Sequence, residues 1–265
     1  MRKRKYLIGA TLALAVAVAM PSLASAAPTG QTLDVVVKKV KQDKKKRGAA
    51  DIDVTVDTQY APGSANPGQT AFNTVVDFDK DFVFNPGKLP KCNPTQLANT
   101  TTAAAKAACG GSEVGAGEAN LCSTANASVC LVSAVVTAFN GTPVGGNPQL
   151  LLHTRTSANT TSVLDGTLIN SPLGGQYGKR LNVNVPDTGQ LGQTLVHFRT
   201  AVPKQVTKRR TVKNKKTGKK QVIKTFYVSA RCGKGKSWQF QETTQFRAGG
   251  GTHTASDEVK CKRKK

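Results

Sequence analysis

The feature of this chain that most strongly indicates a binding function is positive charge concentrated in three short segments. Residues 204–224 hold ten lysines and arginines and no acidic residue, residues 38–47 hold seven, and residues 260–265 hold five. Such clusters attract polyanions: teichoic acid, acidic polysaccharide, anionic lipid headgroups or nucleic acid. The alternative is a solvated lysine hairpin that protects sheet edges. The residues predicted to contact a polyanion are Lys208, Arg209, Arg210, Lys213, Lys215, Lys216, Lys219 and Lys220.

The basic segment 204–224 also indicates how its charges are held. Thr217-Gly218 lies near its middle and is typical of a turn, so the segment is predicted to be a long hairpin. No aromatic residue is interleaved with the lysines. Because aromatic rings provide the stacking surface for bases, this pattern argues against sequence-specific nucleic-acid binding.

Six cysteines are the second group with clear chemistry, and sequence alone allows many pairings. Proximity suggests Cys92–Cys109 and Cys122–Cys130, which leaves Cys232 and Cys261 to join the last strands. Metal binding would require clustered Cys-x-x-Cys or Cys-x-x-His spacing, which the chain does not contain. We therefore expect structural disulfides and no catalytic thiol.

Two groups of aspartates alternate along predicted strands. They are Asp51, Asp53 and Asp57, and Asp77, Asp79 and Asp81. Alternate residues of a strand share a face and lie roughly 6.6 Å apart. If the two strands paired, six carboxylates would cluster and could bind calcium. The alternative, which the missing glycine and glutamate of a calcium loop favour, is neutralisation by Lys38, Lys39 and Lys41.

Two histidines occur in matching contexts. His153 precedes Arg155 by two positions, and His197 precedes Arg199 in the same way. On adjacent strands these four residues could form a small cationic patch for a carboxylate or phosphate. The alternative is two unrelated polar strand faces that point outward.

Motifs for catalysis are missing from the sequence. There is no His-Glu-x-x-His, no Gly-x-Ser-x-Gly and no glycine-rich phosphate loop before a helix. No catalytic residue, metal ligand or cofactor is therefore predicted, and the chain is expected not to be an enzyme.

Short β-branched segments separated by Gly, Pro and Asn must position these groups. Several of these segments alternate apolar and polar residues. Ile52, Val54 and Val56, for example, lie on one face of their predicted strand and the aspartates on the other. The predicted fold is an all-β antiparallel sandwich with long basic hairpins and one short helical excursion between Cys92 and Cys109. The predicted strands are 32–41, 51–60, 71–84, 113–121, 129–139, 149–156, 162–169, 180–185, 193–202, 222–231, 237–247 and 252–261.

The N-terminus has the pattern of an export signal. Basic residues 2–5 precede an apolar run and the small residues Ala24-Ser25-Ala26. We expect residues 1–26 to be removed and residues 27–265 to form a single domain, with residues 27–60 as a basic N-terminal hairpin. No later apolar run reaches the roughly 18 residues of a membrane span, so no transmembrane anchor is expected. The expected location is secreted, extracellular or loosely associated with the cell envelope.

An ordered set of short motifs runs from about residue 71 to residue 261. These motifs are Leu89-Pro90-Lys91-Cys92, Ala108-Cys109, Val114-Gly115-Ala116-Gly117, Phe139-Asn140-Gly141, Tyr177-Gly178, Leu181 to Pro186, Ser229-Ala230-Arg231-Cys232, Trp238 with Phe240, and Cys261. In them the chain resembles a group of uncharacterised exported bacterial β-sandwich proteins with paired cysteines. The resemblance implies a fold and two disulfides but no activity. Cys122, Cys130 and the lysine insertions depart from the group.

Charge, cysteines and the export signal together favour a non-enzymatic secreted or cell-envelope protein. Its expected partner is an anionic envelope polymer or another polyanion, bound through the lysine-rich hairpins. Two other functions remain open from sequence: a purely structural or adhesive sandwich without a specific ligand, and a hydrolase whose site the sequence does not reveal.

Overall fold

The computed structural model describes residues 28–38, 47–61, 69–203, 206–213, 218, 220–233 and 235–261. The predicted export signal at residues 1–26 lies outside the described residues, as do residues 39–46 of the predicted N-terminal hairpin. Within the described residues no helix is long and apolar enough to cross a membrane.

Sixteen strands and two short helices make up the described chain. The strands are β1 Gly30–Lys38, β2 Gly48–Ala49, β3 Asp51–Gln59, β4 Ala71–Asp79, β5 Phe82–Phe84, β6 Glu113–Ser123, β7 Cys130–Val144, β8 Asn147–Thr156, β9 Thr161–Asn170, β10 Tyr177–Asn184, β11 Gln193–Val202, β12 Val206–Lys213, β13 Lys220–Phe226, β14 Val228–Ala230, β15 Ser237–Phe246 and β16 Thr252–Lys260. The helices are α1 Pro94–Leu97 and α2 Thr102–Cys109, with 3-10 turns at Pro86–Lys88, Gly110–Ser112 and Gly189–Leu191.

Eleven of these strands form one antiparallel sheet, in the order β1-β3-β11-β6-β7-β8-β9-β10-β4-β15-β16. The all-β antiparallel class predicted from sequence is therefore confirmed. The predicted pair of packed sheets is not confirmed, because these strands are continuous from one edge to the other. The sheet curls into a nearly closed cylinder whose two edge strands, β1 and β16, lie against each other.

A side chain joins the two edges of the cylinder. The Val35 N–H on β1 donates to Asp257 Oδ2 on β16 at 2.7 Å, although these strands do not pair through their backbones. A carboxylate that accepts from an edge N–H satisfies a donor that would otherwise have to find water. The Asp257 carboxylate thus links the two edge strands at this point of the seam.

Period-two alternation explains which side chains fill the cylinder. On β3, Ile52, Val54, Val56 and Thr58 are buried, while the residues between them are only partly buried. Leu150 and Leu152 on β8 and Val183 on β10 belong to the same interior core. Antiparallel strands with one wet face use this pattern, because successive side chains point to opposite sides of the sheet.

A three-stranded sheet, in the order β2-β14-β5, packs against the interior where β4 ends and β15 begins. Its Phe82 ring lies 5.4 Å from both the Trp238 and the Phe240 rings of β15, in edge-to-face geometry. Edge-to-face aromatic pairs add stability beyond the area they bury. The predicted strand 71–84 is consequently two strands, because the chain turns at Lys80 and Asp81 so that β5 can join this second sheet.

The helical excursion predicted between Cys92 and Cys109 is confirmed, with α1 and α2 inside it. Its buried Leu97 and Ala105 pack with Phe139 and Leu151 in a second, smaller core. The Thr101 hydroxyl accepts from the Ala104 N–H and so caps α2 at its N-terminus.

All six cysteines are paired in disulfides, and the pairing suggested by proximity is confirmed. The bridges are Cys92–Cys109, Cys122–Cys130 and Cys232–Cys261. Disulfides persist in oxidising compartments, so their number indicates an extracellular or comparable environment.

Candidate functional site

The basic hairpin forms a sheet of its own. β12 pairs with β13, and in the described part of the chain these two strands form a sheet separate from the larger ones. The register places Arg209 opposite Lys224 and Lys213 opposite Lys220. Like charges at directly opposite positions destabilise a strand pair. An anion bound along the hairpin would relieve this repulsion.

Part of the predicted polyanion-contact set lies on these two strands. Lys208, Arg209, Arg210 and Lys213 are on β12, and Lys220 begins β13 with its side chain exposed. The exposed Lys224 lies further along β13. Gly218 has φ 68°, the left-handed conformation that glycine adopts in turns. Lys215, Lys216 and Lys219 lie outside the described residues.

The acidic face of β3 is paired with the neighbouring strand β11. Arg199 donates from Nε and Nη2 to the two carboxylate oxygens of Asp53, at 3.0 and 2.6 Å, and these bonds raise the pKa of the guanidinium. His197 Nδ1 lies 2.6 Å from Asp57 Oδ1. These two aspartates are therefore bound by Arg199 and His197 of β11, and the predicted neutralisation by Lys38 is not confirmed in the described residues. Lys39 and Lys41 lie outside the described residues.

The second aspartate group is paired with arginines. Arg180 on β10 binds Asp77 through two hydrogen bonds, from Nε to Oδ1 at 2.9 Å and from Nη2 to Oδ2 at 2.7 Å. Arg231 donates from Nε to Asp81 Oδ1 at 2.6 Å. Both carboxylates are buried, and each is compensated by a guanidinium.

Asp79, between them, accepts hydrogen bonds from the backbone. The N–H groups of Asp81 and Gln239 lie 2.8 and 3.1 Å from its two oxygens. Burial nevertheless raises the pKa of Asp79 above its ordinary value. The carboxyl groups at this turn are thus held by local contacts and hold β4, β5 and β15 together.

The order of the strands excludes the calcium site that the pairing of the two aspartate-bearing strands would have formed. β3 lies between β1 and β11, whereas β4 lies between β10 and β15, so the two aspartate groups are on distant strands. In the described ranges no three His, Cys, Asp or Glu side chains come close enough together to hold a metal ion.

The cationic histidine patch considered from the sequence does not form, and the alternative of two outward faces is wrong for His153. His153 on β8 is fully buried, and its Nε2 lies 3.1 Å from the carbonyl oxygen of Thr100. Two strands, β6 and β7, separate β8 from the β11 strand that carries His197. His153 therefore contacts the helical excursion, whereas His197 contacts Asp57 on the neighbouring strand β3.

An apolar cavity of about 100 Å³ lies inside the cylinder. Its walls are valines, leucines, an isoleucine and aromatic rings contributed mainly by β3, β4, β8, β9, β10 and β11, and none of the described residues that line it is charged. Ile52, Val54, Val56 and Thr58 all line it, so it extends along most of β3. At about 3.3 Å per residue, that stretch is roughly 20 Å long.

Seven of the side chains that line the cavity carry polar atoms. They are Gln31, Thr58, Thr74, Gln149, Thr200, Tyr227 and Thr244. Gln31 Nε2 donates to Thr58 Oγ1 at 3.1 Å, but Gln31 Oε1 is buried without a hydrogen-bond partner, as is Thr200 Oγ1. Buried polar atoms are ordinarily hydrogen-bonded, so these two mark places where a ligand could supply a partner.

A lone carboxyl group lies within the interior. Glu242 on β15 has no exposed surface, and the Thr244 hydroxyl donates to its Oε1. Thr244 in turn lies 2.7 Å from the Thr74 hydroxyl, while Glu242 Oε2 has no partner among the described residues. Burial raises the pKa of Glu242 to about 7.

Sequence reasoning missed Glu242 because it considered acids only in clusters. The signal was present, since Trp238, Phe240 and Phe246 alternate along β15 and place position 242 on the same apolar face. A carboxylate at an inward position of an alternating apolar strand is the pattern that would have found it.

The chain matches no protein-family model, no curated protein and no solved structure. Function therefore has to be argued from the geometry of the hairpin and of the interior.

Proposed function

We propose that this protein is a non-enzymatic, exported protein of the cell envelope or extracellular space that binds polyanions through the β12–β13 hairpin. The proposal includes cleavage of the signal at residues 1–26 and kinship with the exported β-sandwich group. The observation that carries it is the register of the hairpin, in which Arg209 lies opposite Lys224 and Lys213 opposite Lys220.

The acids of the described sheet strengthen this argument. Asp53, Asp77 and Asp81 are each within 3 Å of an arginine, and Asp57 is within 3 Å of His197. Carboxylates that already neutralise cations of the main sheet supply little further field to the hairpin. A flexible anionic polymer, whose charges repeat along its length, is the partner that suits a row of cations on two paired strands.

Binding should depend steeply on salt and little on ligand sequence. Neutralising roughly four to six phosphates on a single strand gives a slope of about −3 to −4 for log affinity against log salt. The measurement is the affinity for a fluorescent oligothymidine at several salt concentrations, together with retention on heparin. We expect the variant Lys213→Gln, Lys215→Gln, Lys216→Gln, Lys219→Gln, Lys220→Gln to show a flatter slope and earlier elution.

A control of equal charge separates position from net charge. The matched variant replaces five basic residues outside the three basic segments: Lys80, Lys91, Lys106, Lys179 and Lys236, each to Gln. We expect it to keep most of the wild-type slope. If the two variants have the same affinity at every salt concentration, polyanion binding depends on net charge alone and the hairpin is not the binding site. If the hairpin variant elutes with wild type, the hairpin is only a solvated edge and the proposal is wrong.

A further inference from the structure

The interior of the cylinder offers a binding site that is independent of the basic hairpin. An apolar void has a free-energy cost, since its lining atoms lack contact partners on one side. An engineered apolar cavity of about 150 Å³ stays dry and takes up benzene. The cavity here is smaller, about 100 Å³, and is drawn out along β3 from Ile52 to Thr58. The small volume limits a ligand to a few heavy atoms, and because the lining residues are spread along β3, an extended chain suits them better than a compact ring.

The lining also restricts the polar group that a ligand can carry. None of the described lining residues is charged, so the wall offers an ionised group no partner of opposite charge and favours an uncharged ligand. The unpartnered Gln31 Oε1 is an acceptor and therefore favours a ligand that donates a hydrogen bond. Thr200 on β11 is 8% exposed, and its hydroxyl group has no hydrogen-bond partner, so it offers a second polar contact in the wall of the cavity.

We propose that the cavity binds a short, unbranched alkyl chain that ends in an uncharged hydroxyl group. The chain lies among Val54, Val56 and Val183, and the hydroxyl donates to Gln31 Oε1 at the end of the cylinder where β1 begins. The unoccupied acceptor on Gln31 gains a partner, and the apolar wall gains contact along its length.

The first test uses the whole protein without substitutions. Isothermal titration with 1-butanol, 1-pentanol and 1-hexanol should show the affinity rising about fourfold per added methylene, which corresponds to about 0.8 kcal/mol each. Cyclohexanol has the same number of carbon atoms as 1-hexanol but is a ring, and we expect it to bind at least tenfold more weakly. Equal affinity for the ring and the chain, or no heat with any alcohol, overturns the proposal.

The second test assigns the cavity with a matched pair of variants. Val56→Phe fills it from β3 and should abolish 1-hexanol binding, while Val135→Phe makes the same change at a side chain that is 55% exposed on β7 and should leave binding unchanged. Circular dichroism checks that each variant is folded. If folded Val56→Phe binds 1-hexanol as well as wild type does, the site lies elsewhere and the assignment is overturned. If Val56→Phe does not fold, the comparison of 1-hexanol with cyclohexanol on the wild-type protein decides.

The third test addresses the hydroxyl. Gln31→Leu removes the free acceptor and should weaken 1-hexanol binding by about 3- to 10-fold, the value of one hydrogen bond, while leaving n-hexane binding unchanged. An equal loss for both ligands would show that Gln31 only shapes the wall, and no loss for either would show that the hydroxyl binds elsewhere. Either result refutes the proposed contact.

Discussion

The stability of the protein is expected to fall by about 3 kcal/mol as the pH rises from about 4.5 to about 7, because of Glu242. The folded-state pKa of this buried carboxyl is raised from 4.5 to about 7. In that pH range the folded chain keeps the proton that the unfolded chain releases. The free energy of unfolding therefore decreases by about 1.4 kcal/mol per pH unit and levels off above the folded-state pKa.

Urea unfolding at half-unit steps from pH 4.5 to 8.5 measures this effect, with fluorescence of Trp238, the single tryptophan, as the signal. The variant Glu242→Gln cannot ionise, and its amide oxygen can still accept from Thr244. We expect its stability relative to wild type to grow by about 3 kcal/mol across the range. Because every other ionisable group is the same in both proteins, the difference isolates Glu242. A constant difference would show that Glu242 has an ordinary pKa.

Removing Arg180 is expected to have the largest effect of any single change on the outer face. In Arg180→Met the Asp77 carboxylate, 1% exposed, keeps a single partner among the described residues, the Ser171 hydroxyl, which donates to it at 2.6 Å. Leaving a buried charge without its partner costs about 3–5 kcal/mol. The measurement is urea unfolding at neutral pH, where that loss would be a large share of the stability of a single domain.

Two comparisons identify the cause of that loss. Lys179→Met changes the adjacent residue, whose Nζ bonds Asn170 at the surface, and we expect a change within about 0.5 kcal/mol. The double variant Asp77→Leu, Arg180→Met removes both charges and should recover much of the stability, because the desolvation cost disappears with the pair. If the double variant is as unstable as the single one, packing of the arginine stem and not the ion pair accounts for the loss.

Features that depend on neighbouring residues were predictable from the sequence. The alternation along β3 predicted a strand there, since side-chain direction in a strand is set within two residues. The helical excursion and the Cys92–Cys109 and Cys122–Cys130 bridges involve short loops, in which proximity along the chain makes closure inexpensive. The β12–β13 pairing joins two strands that are close along the chain.

Contacts between distant strands were not predictable in the same way. Arg199 reaches Asp53 because β11 lies beside β3, although 146 residues separate them, and the same topology keeps the two aspartate groups apart. Alternation along a strand predicts which of its side chains share a face, but it does not predict which other strand will be its neighbour in the sheet.

The sequence by itself determined the antiparallel β class and the location of the basic segments, because each depends on local spacing or composition, and proximity along the chain suggested the cysteine pairing that the structure confirmed. Only the tertiary structure decided that the strands form one nearly closed sheet, that Arg180 and Arg231 neutralise buried aspartates, and that Glu242 lies beside an uncharged cavity. The physical reason is that burial and strand neighbours arise from long-range packing. Desolvation, the largest cause of the raised pKa of Glu242, exists only once those strands enclose it.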